Sequence, residues 1–234
     1  MRMSGQDAAR RFVDEYFPHC RVAIWCGSAA ARMETERSDL DLVIIDDTRP
    51  QPFRAAYEAY GWPIEAFVLT SRTYGYFFEI NALSGIPSLQ RMCADGVVLK
   101  DDGLAASVIE EARESLRQGP AAWSEEERDA ARFAITECLE DLAGSASLDE
   151  DVFIAHRLAA LIVEFELRMH GCWLGEGKWL ARSLRRHDEA LLQRLLQALR
   201  AFHCGGGKAE LIGLADRILA PHGGRLFAGF YQEG

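Results

Sequence analysis

Asp39 and Asp41 stand two residues apart at the front of an apolar run, Ser38-Asp39-Leu40-Asp41-Leu42. Side chains alternate across a strand, so both carboxylates project from one face while Leu40 and Leu42 turn to the buried one. Two carboxylates on one face repel unless something positive sits between them. Hard divalent cations with oxygen ligands, Mg²⁺ above all, answer that need. Two such ions can clamp the attacking and leaving oxygens of an in-line phosphoryl displacement. Just upstream, the apolar stretch Arg21 to Cys26 runs into Gly27-Ser28, where a short helix is expected from about Ala29. Glycine lets a backbone come close to a phosphate, and a helix start offers it N–H groups. Glu65 lies among Ile64, Ala66 and Phe67. A charge inside such a strand needs a partner, a metal or solvent.

The elements around these residues read as an α/β alternation in the first half. Asp7 to Tyr16 is expected to be helical, with Phe12, Val13 and Tyr16 on its apolar face. Arg21–Cys26, Leu40–Ile45 and Ile64–Leu69 read as strands. Pro52 to Tyr60 reads as a helix that Gly61-Trp62-Pro63 stops. Helices are expected at Thr73–Leu83 and Leu104–Leu116, with a short strand at Gly96–Lys100 between them.

Gly119-Pro120 breaks the pattern, which predicts an N-terminal domain over 1–118 and a helical one over 121–234. Ser124 caps a helix that opens on Glu125, Glu126 and Glu127 and runs to about Leu142. Asp151–Met169 follows, its apolar band including Phe153, Leu158, Leu161, Ile162 and Phe165, and Gly171 ends it. Further helices are expected at Lys178–Arg186, Glu189–Phe202 and Ala209–Leu219, with Gly205-Gly206-Gly207 linking the last two. The fold class is therefore α+β: a mixed sheet with helices, then an all-α bundle.

Composition limits the functions open to such a chain. Of 234 residues, 49% are hydrophobic and 26% charged, as in ordinary globular proteins. No apolar run is long enough to cross a bilayer, and the polar start does not read as a signal peptide, so no membrane partner and a cytoplasmic location are expected. The six cysteines show no CxxC pair and read as free thiols. A net charge of −10 argues against gripping long nucleic acid through its phosphates. It leaves room for a small phosphate-bearing substrate whose charge metal ions neutralise locally.

In the helical half, Trp173, Trp179 and Lys178 share a glycine-rich stretch. The tryptophans could stack on a base or sugar and Lys178 could meet a nucleotide phosphate. The plain alternative is tryptophans packed between helices and a solvated lysine. Arg182, Arg185 and Arg186 read as a solvated basic face, and His156, His170, His203 and His222 show no ligand spacing.

A strand, a Gly-Ser turn, Asp-x-Asp at the start of the next strand and a third carboxylate on a later one form a known signature. With Gly27-Ser28, Asp39-Leu40-Asp41 and Glu65 in that order, the chain resembles the nucleotidyltransferase superfamily related to DNA polymerase beta. The likeness is to its small bacterial members and the kanamycin nucleotidyltransferase group. That resemblance implies an enzyme that moves a nucleoside monophosphate, AMP from ATP in the leading case, to a hydroxyl of an aminoglycoside-like small molecule or of a protein. It implies Asp39, Asp41 and Glu65 as ligands of two Mg²⁺ ions, and Gly27 and Ser28 at the triphosphate. It also implies a helical-domain carboxylate as general base, for which Glu137 and Asp141 share an i,i+4 face. Family members often carry a second glycine where this chain has Ala31-Arg32. Arg182 to His187 fits the loose Arg-x4-His pattern of HEPN-like domains, which accompany small nucleotidyltransferases. The alternative is a nucleotide- or partner-binding module of toxin–antitoxin type; a homodimer stays open.

Overall fold

The structure is a computed structural model that describes residues 2–30, 35, 38–205 and 207–232. The chain forms two compact units, Met1–Gly119 and Pro120–Gly234. In the first, the order is α1 (Gly5–Tyr16), β1 (Val22–Cys26), α2 (Gly27–Ala30), β2 (Leu40–Ile45), β3 (Phe53–Ala59), β4 (Trp62–Leu69), α3 (Tyr74–Ser84), α4 (Ser88–Asp95), β5 (Val97–Asp101) and α5 (Ala105–Gln118). The five strands lie in the order β3-β4-β2-β1-β5. Among the described residues, β2 and β4 run parallel and the other neighbours are antiparallel, so the sheet is mixed.

Alternation along β2 sorts its residues to two layers. Leu40, Leu42 and Ile44 join Trp25, Ile64, Ala66 and Val68 beneath Phe12 and Val13 of α1. Val43 and Ile45 join Ile24, Cys26 and Leu69 beneath Tyr74, Phe78, Leu89, Cys93 and Val108 of α3, α4 and α5. Val43 and Ile45 are fully buried, which stabilises the fold by about 2 kcal/mol for each. Asp41 and Glu65 belong by the same alternation to the face that α3, α4 and α5 cover. Ser4 caps α1, its hydroxyl accepting from the Asp7 N–H at 3.2 Å, worth about 1 kcal/mol.

One expected helix is a strand. Pro52–Tyr60 reads as helical, with Ala55, Ala56 and Ala59, yet Phe53–Ala59 is β3, an edge strand antiparallel to β4. Its side chains alternate between exposed and half-buried, the period of a half-covered strand. Tyr60 (φ 56°) and Gly61 (φ 81°) both take positive φ between Ala59 and Trp62, the two-residue turn that joins hairpins. What reads as a helix stop is thus a hairpin tip. Its strain at Tyr60 is offset by a hydrogen bond from the Tyr60 hydroxyl to Glu15 and by the Arg11 guanidinium over its ring. The sequence also leaves α4 unmarked; it is short and opens beside Pro87.

Among the described residues of the second unit the regular elements are helices: α6 (Glu125–Gly144), α7 (Leu148–Met169), α8 (Lys178–His187), α9 (Glu189–Gly205), α10 (Ala209–Leu219) and a short 3-10 turn. At the start of α6 the Ser124 hydroxyl accepts from the Glu127 N–H at 3.1 Å, and Glu127 accepts from the Ser124 N–H at 2.7 Å. Helix α7 begins at Leu148, ahead of the expected Asp151, because Ser147 caps it. Its buried stripe is Ala155, Leu158, Ile162 and Phe165. Phe153, expected in that band, is 80% exposed. At 3.6 residues per turn it lies about 200° round the helix from Ala155. All six cysteines are unpaired thiols. Among the described residues no helix is long and apolar enough to cross a membrane.

Candidate active site

Strand β1 ends at Cys26, whose Cα is paired with that of Asp41 on β2. The Cys26 thiol donates to the Asp41 carbonyl at 3.2 Å. Burial, then the charge of Asp41, push this thiol well above its ordinary pKa, so it packs as a neutral group and not as a nucleophile. The chain then turns at Gly27 with φ 79°. A Cβ built there would lie 2.0 Å from Asp41 Oδ2 and 3.0 Å from its Cγ. Both the turn and the carboxylate therefore require glycine at this point.

Ser28, half-buried in α2, donates to the Ser38 hydroxyl at 3.3 Å. The Ser38 hydroxyl also accepts from the Thr35 N–H at 2.8 Å, and the Ser38 carbonyl accepts from Arg2 at 2.9 Å. Ser28 and Ser38 thus latch the start of the connecting segment to its end. Ala31 and Arg32, the position of the missing second glycine, lie outside the described residues.

On the far side of β2, Asp41 is register-paired with Glu65 of parallel β4. Adjacent strands lie about 4.8 Å apart, and the two side chains share a face. Glu65 keeps 24% of its side chain exposed and accepts from Arg54 Nε at 2.5 Å. Arg54 reaches it from β3, its guanidinium 4.8 Å from the Phe67 ring centroid. Asp39, just before β2, is exposed. One end of one sheet face thus carries Asp41, Glu65 and a guanidinium, with Asp39 at the strand's entry. The donor set, carboxylate oxygens beside a turn without a side chain, fits a hard divalent cation.

The opposite end of β2 carries two more aspartates. Asp46 is buried and accepts from the Thr48 N–H at 3.0 Å, the Thr48 hydroxyl at 2.6 Å and Arg49 Nε at 3.1 Å. Burial alone would raise its pKa; the Thr48 and Arg49 bonds outweigh it and hold the group below 3.8. Asp47 accepts from the Ser71 N–H at 2.7 Å, the Ser71 hydroxyl at 2.8 Å and Arg21 at 3.2 Å. For Asp47 too, these bonds outweigh desolvation and lower the pKa.

Glu137, Asp141 and Lys178 belong to the second unit. Glu137 and Asp141 are exposed on α6, while their neighbour Glu140 is held by Arg225 at 2.7 Å. Lys178 is exposed at the first position of α8. Trp179 is 38% exposed with the Arg182 guanidinium 4.5 Å over its ring, and Trp173 is half-buried. Neither tryptophan is fully enclosed between helices.

Sequence reasoning missed Arg54, which the mistaken helix hid. The pattern Phe-Arg-Ala-Ala-Tyr-Glu-Ala before Tyr-Gly carried the signal, since it alternates up to a turn. His170 also gains neighbours that its spacing to other histidines does not show: it stands with Glu166 and His187.

No family model matches the chain, and no curated protein matches it. Among solved structures, it is similar to the crystal structure of a nucleotidyltransferase-like protein from Exiguobacterium sibiricum 255-15. The two are 12% identical, the match covers 92% of this chain and 74% of that one, and the TM-score is 0.49.

Proposed function

We propose that this chain transfers a nucleoside monophosphate, AMP from ATP in the leading case, to a hydroxyl of a small molecule such as an aminoglycoside-like antibiotic, or of a protein. The observation that carries the reading is the register pairing of Asp41 with Glu65, at the strand end where Gly27 makes room for the Asp41 carboxylate. Asp39, Asp41 and Glu65 would hold Mg²⁺, in two ions. Bound there, Mg²⁺ supplies charge neutralisation at the transferred phosphoryl group and its leaving oxygen.

The protein's own part is positioning. The Gly27 turn leaves backbone open to the triphosphate, and the Ser28–Ser38 latch holds that turn against the carboxylates. The acceptor oxygen forms a bond to the α-phosphorus as the bond to the bridging oxygen breaks, and pyrophosphate leaves. The hydroxyl proton passes to a carboxylate base, for which Glu137 and Asp141 are the candidates; Lys178 is the candidate phosphate contact. A second reading, a nucleotide- or partner-binding module without turnover, draws support from Arg54, which already neutralises Glu65.

Incubation with each labelled nucleoside triphosphate and Mg²⁺, with and without an aminoglycoside panel, separates the two. Transfer and pyrophosphate release are expected, falling about a thousandfold in an Asp39→Ala, Asp41→Ala variant, which corresponds to about 4 kcal/mol of lost transition-state stabilisation. Full transfer by that variant would sink the carboxylate assignment. Absence of any Mg²⁺-dependent nucleotide affinity in the unaltered protein would favour the binding module.

A further inference from the structure

Three ligand-type side chains that the proposed reaction does not use converge within the second unit. Glu166 lies in the last turn of α7 and His170 is the residue that caps its C-terminus, while His187 is the last residue of α8. One ligand atom from each lies within 4.8 Å of the others. His187 Nε2 is 3.0 Å and His170 Nδ1 3.4 Å from the same oxygen, Glu166 Oε1. The imidazole centroids are 4.7 Å apart. Glu166 and His187 are mostly buried, with 14% and 19% of their side chains exposed, whereas His170 opens to solvent at 48%.

An ordinary ion pair needs one imidazolium against one carboxylate. Here two imidazoles face one carboxylate, His170 Nδ1 lying 2.9 Å from the Glu166 backbone carbonyl as well as 3.4 Å from Oε1, and charging both would set like charges side by side. A central cation resolves this: neutral imidazoles and an ionised carboxylate are the protonation states that bind metal. Two nitrogens and one oxygen suit Zn²⁺, which takes four ligands, and suit Mg²⁺ poorly. Gly171, at φ 63°, turns the chain so that Cys172 Sγ comes to 3.5 Å from His187 Nδ1. That is the ring nitrogen other than the one facing Glu166, so the thiol orients the ring from outside.

We propose that Glu166, His170 and His187 bind a Zn²⁺ ion, with Cys172 positioning His187 and the fourth coordination place open to water or a small ligand. The ion ties the C-terminal end of α7 to that of α8 and closes the glycine-rich stretch between them.

The test uses the full chain, stripped with a chelator and titrated with ZnCl₂ or MgCl₂ by calorimetry, with melting followed in parallel. A single Zn²⁺ per chain that raises the melting temperature is expected, undisturbed by excess Mg²⁺. His170→Ala, at an exposed position that should still fold, is expected to weaken Zn²⁺ binding more than about 100-fold, and Cys172→Ser about tenfold. The Asp39→Ala, Asp41→Ala variant should bind Zn²⁺ unchanged, which keeps this site's outcome separate from the proposed reaction. Unchanged affinity in both His170→Ala and His187→Gln, or Zn²⁺ binding lost with Asp39 and Asp41, would overturn the proposal. A Cys172→Ser loss as deep as that of His170→Ala would overturn the outer role given to the thiol.

Discussion

Strand β2 carries aspartates at both ends, and the two ends differ in what surrounds them. At the far end, Asp46 and Asp47 accept from backbone N–H groups, hydroxyls and arginines that the fold already supplies. At the near end, Asp41 stands beside a second carboxylate, Glu65, and against a glycine turn, with Asp39 exposed just before it. Carboxylates saturated by the protein hold the chain together. Carboxylates set beside one another repel, and at the near end Arg54 offsets part of that repulsion by pairing with Glu65.

That contrast can be broken by substitution. Gly27→Ala should have the largest effect, because its Cβ would meet Asp41 Oδ2 at 2.0 Å in a backbone region that side chains avoid. If the chain carries out the proposed transfer, a shift of the carboxylate by about 1 Å is expected to cost about 100-fold in rate, measurable as kcat/KM with Mg²⁺-nucleotide. A change under about twofold would mean that the near end is not working machinery. Asp46→Ala should do the reverse: a loss of about 2 kcal/mol in denaturant unfolding, from the hydrogen bonds of Thr48 and Arg49 that the carboxylate accepts, with transfer per folded molecule unchanged. The smallest effect is the acid limb. The Asp46 and Asp47 pKa values are lowered in the folded protein, so their stabilisation is full above their unfolded value, near 3.8, and drains away as pH falls through the folded values. Asp46→Asn should flatten the fall of melting temperature below that point. An unaltered acid limb would show that other groups govern it.

Much of the near end was legible because strand alternation is a short-range rule. Asp39-Leu40-Asp41-Leu42 announces which side chains face the core, and Leu40 and Leu42 are indeed fully buried. The same rule holds at Phe53–Ala59, where the alanines suggest a helix and Gly61-Trp62-Pro63 a stop. Propensity lost there to pairing with β4, a contact that no local window contains. Arg54 went unseen with it. Phe153 was placed in a band because it is apolar, although its phase on α7 points outward. The Glu166–His170 step is readable on a helix, but His187 joins it only once α8 has folded back on α7.

The Tyr60-Gly61 tip has a consequence at a distance. A two-residue turn fixes which residues of β3 stand opposite which of β4, and Arg54 owes its access to Glu65 to that count. Lengthening the tip by one residue and shifting the pairing would rotate Arg54 to the other side of the ribbon. Phe53 or Ala55 would then stand in its place, leaving the carboxylates without their guanidinium. The length of the ribbon therefore sets where Arg54 stands: the tip works as a ruler for charge.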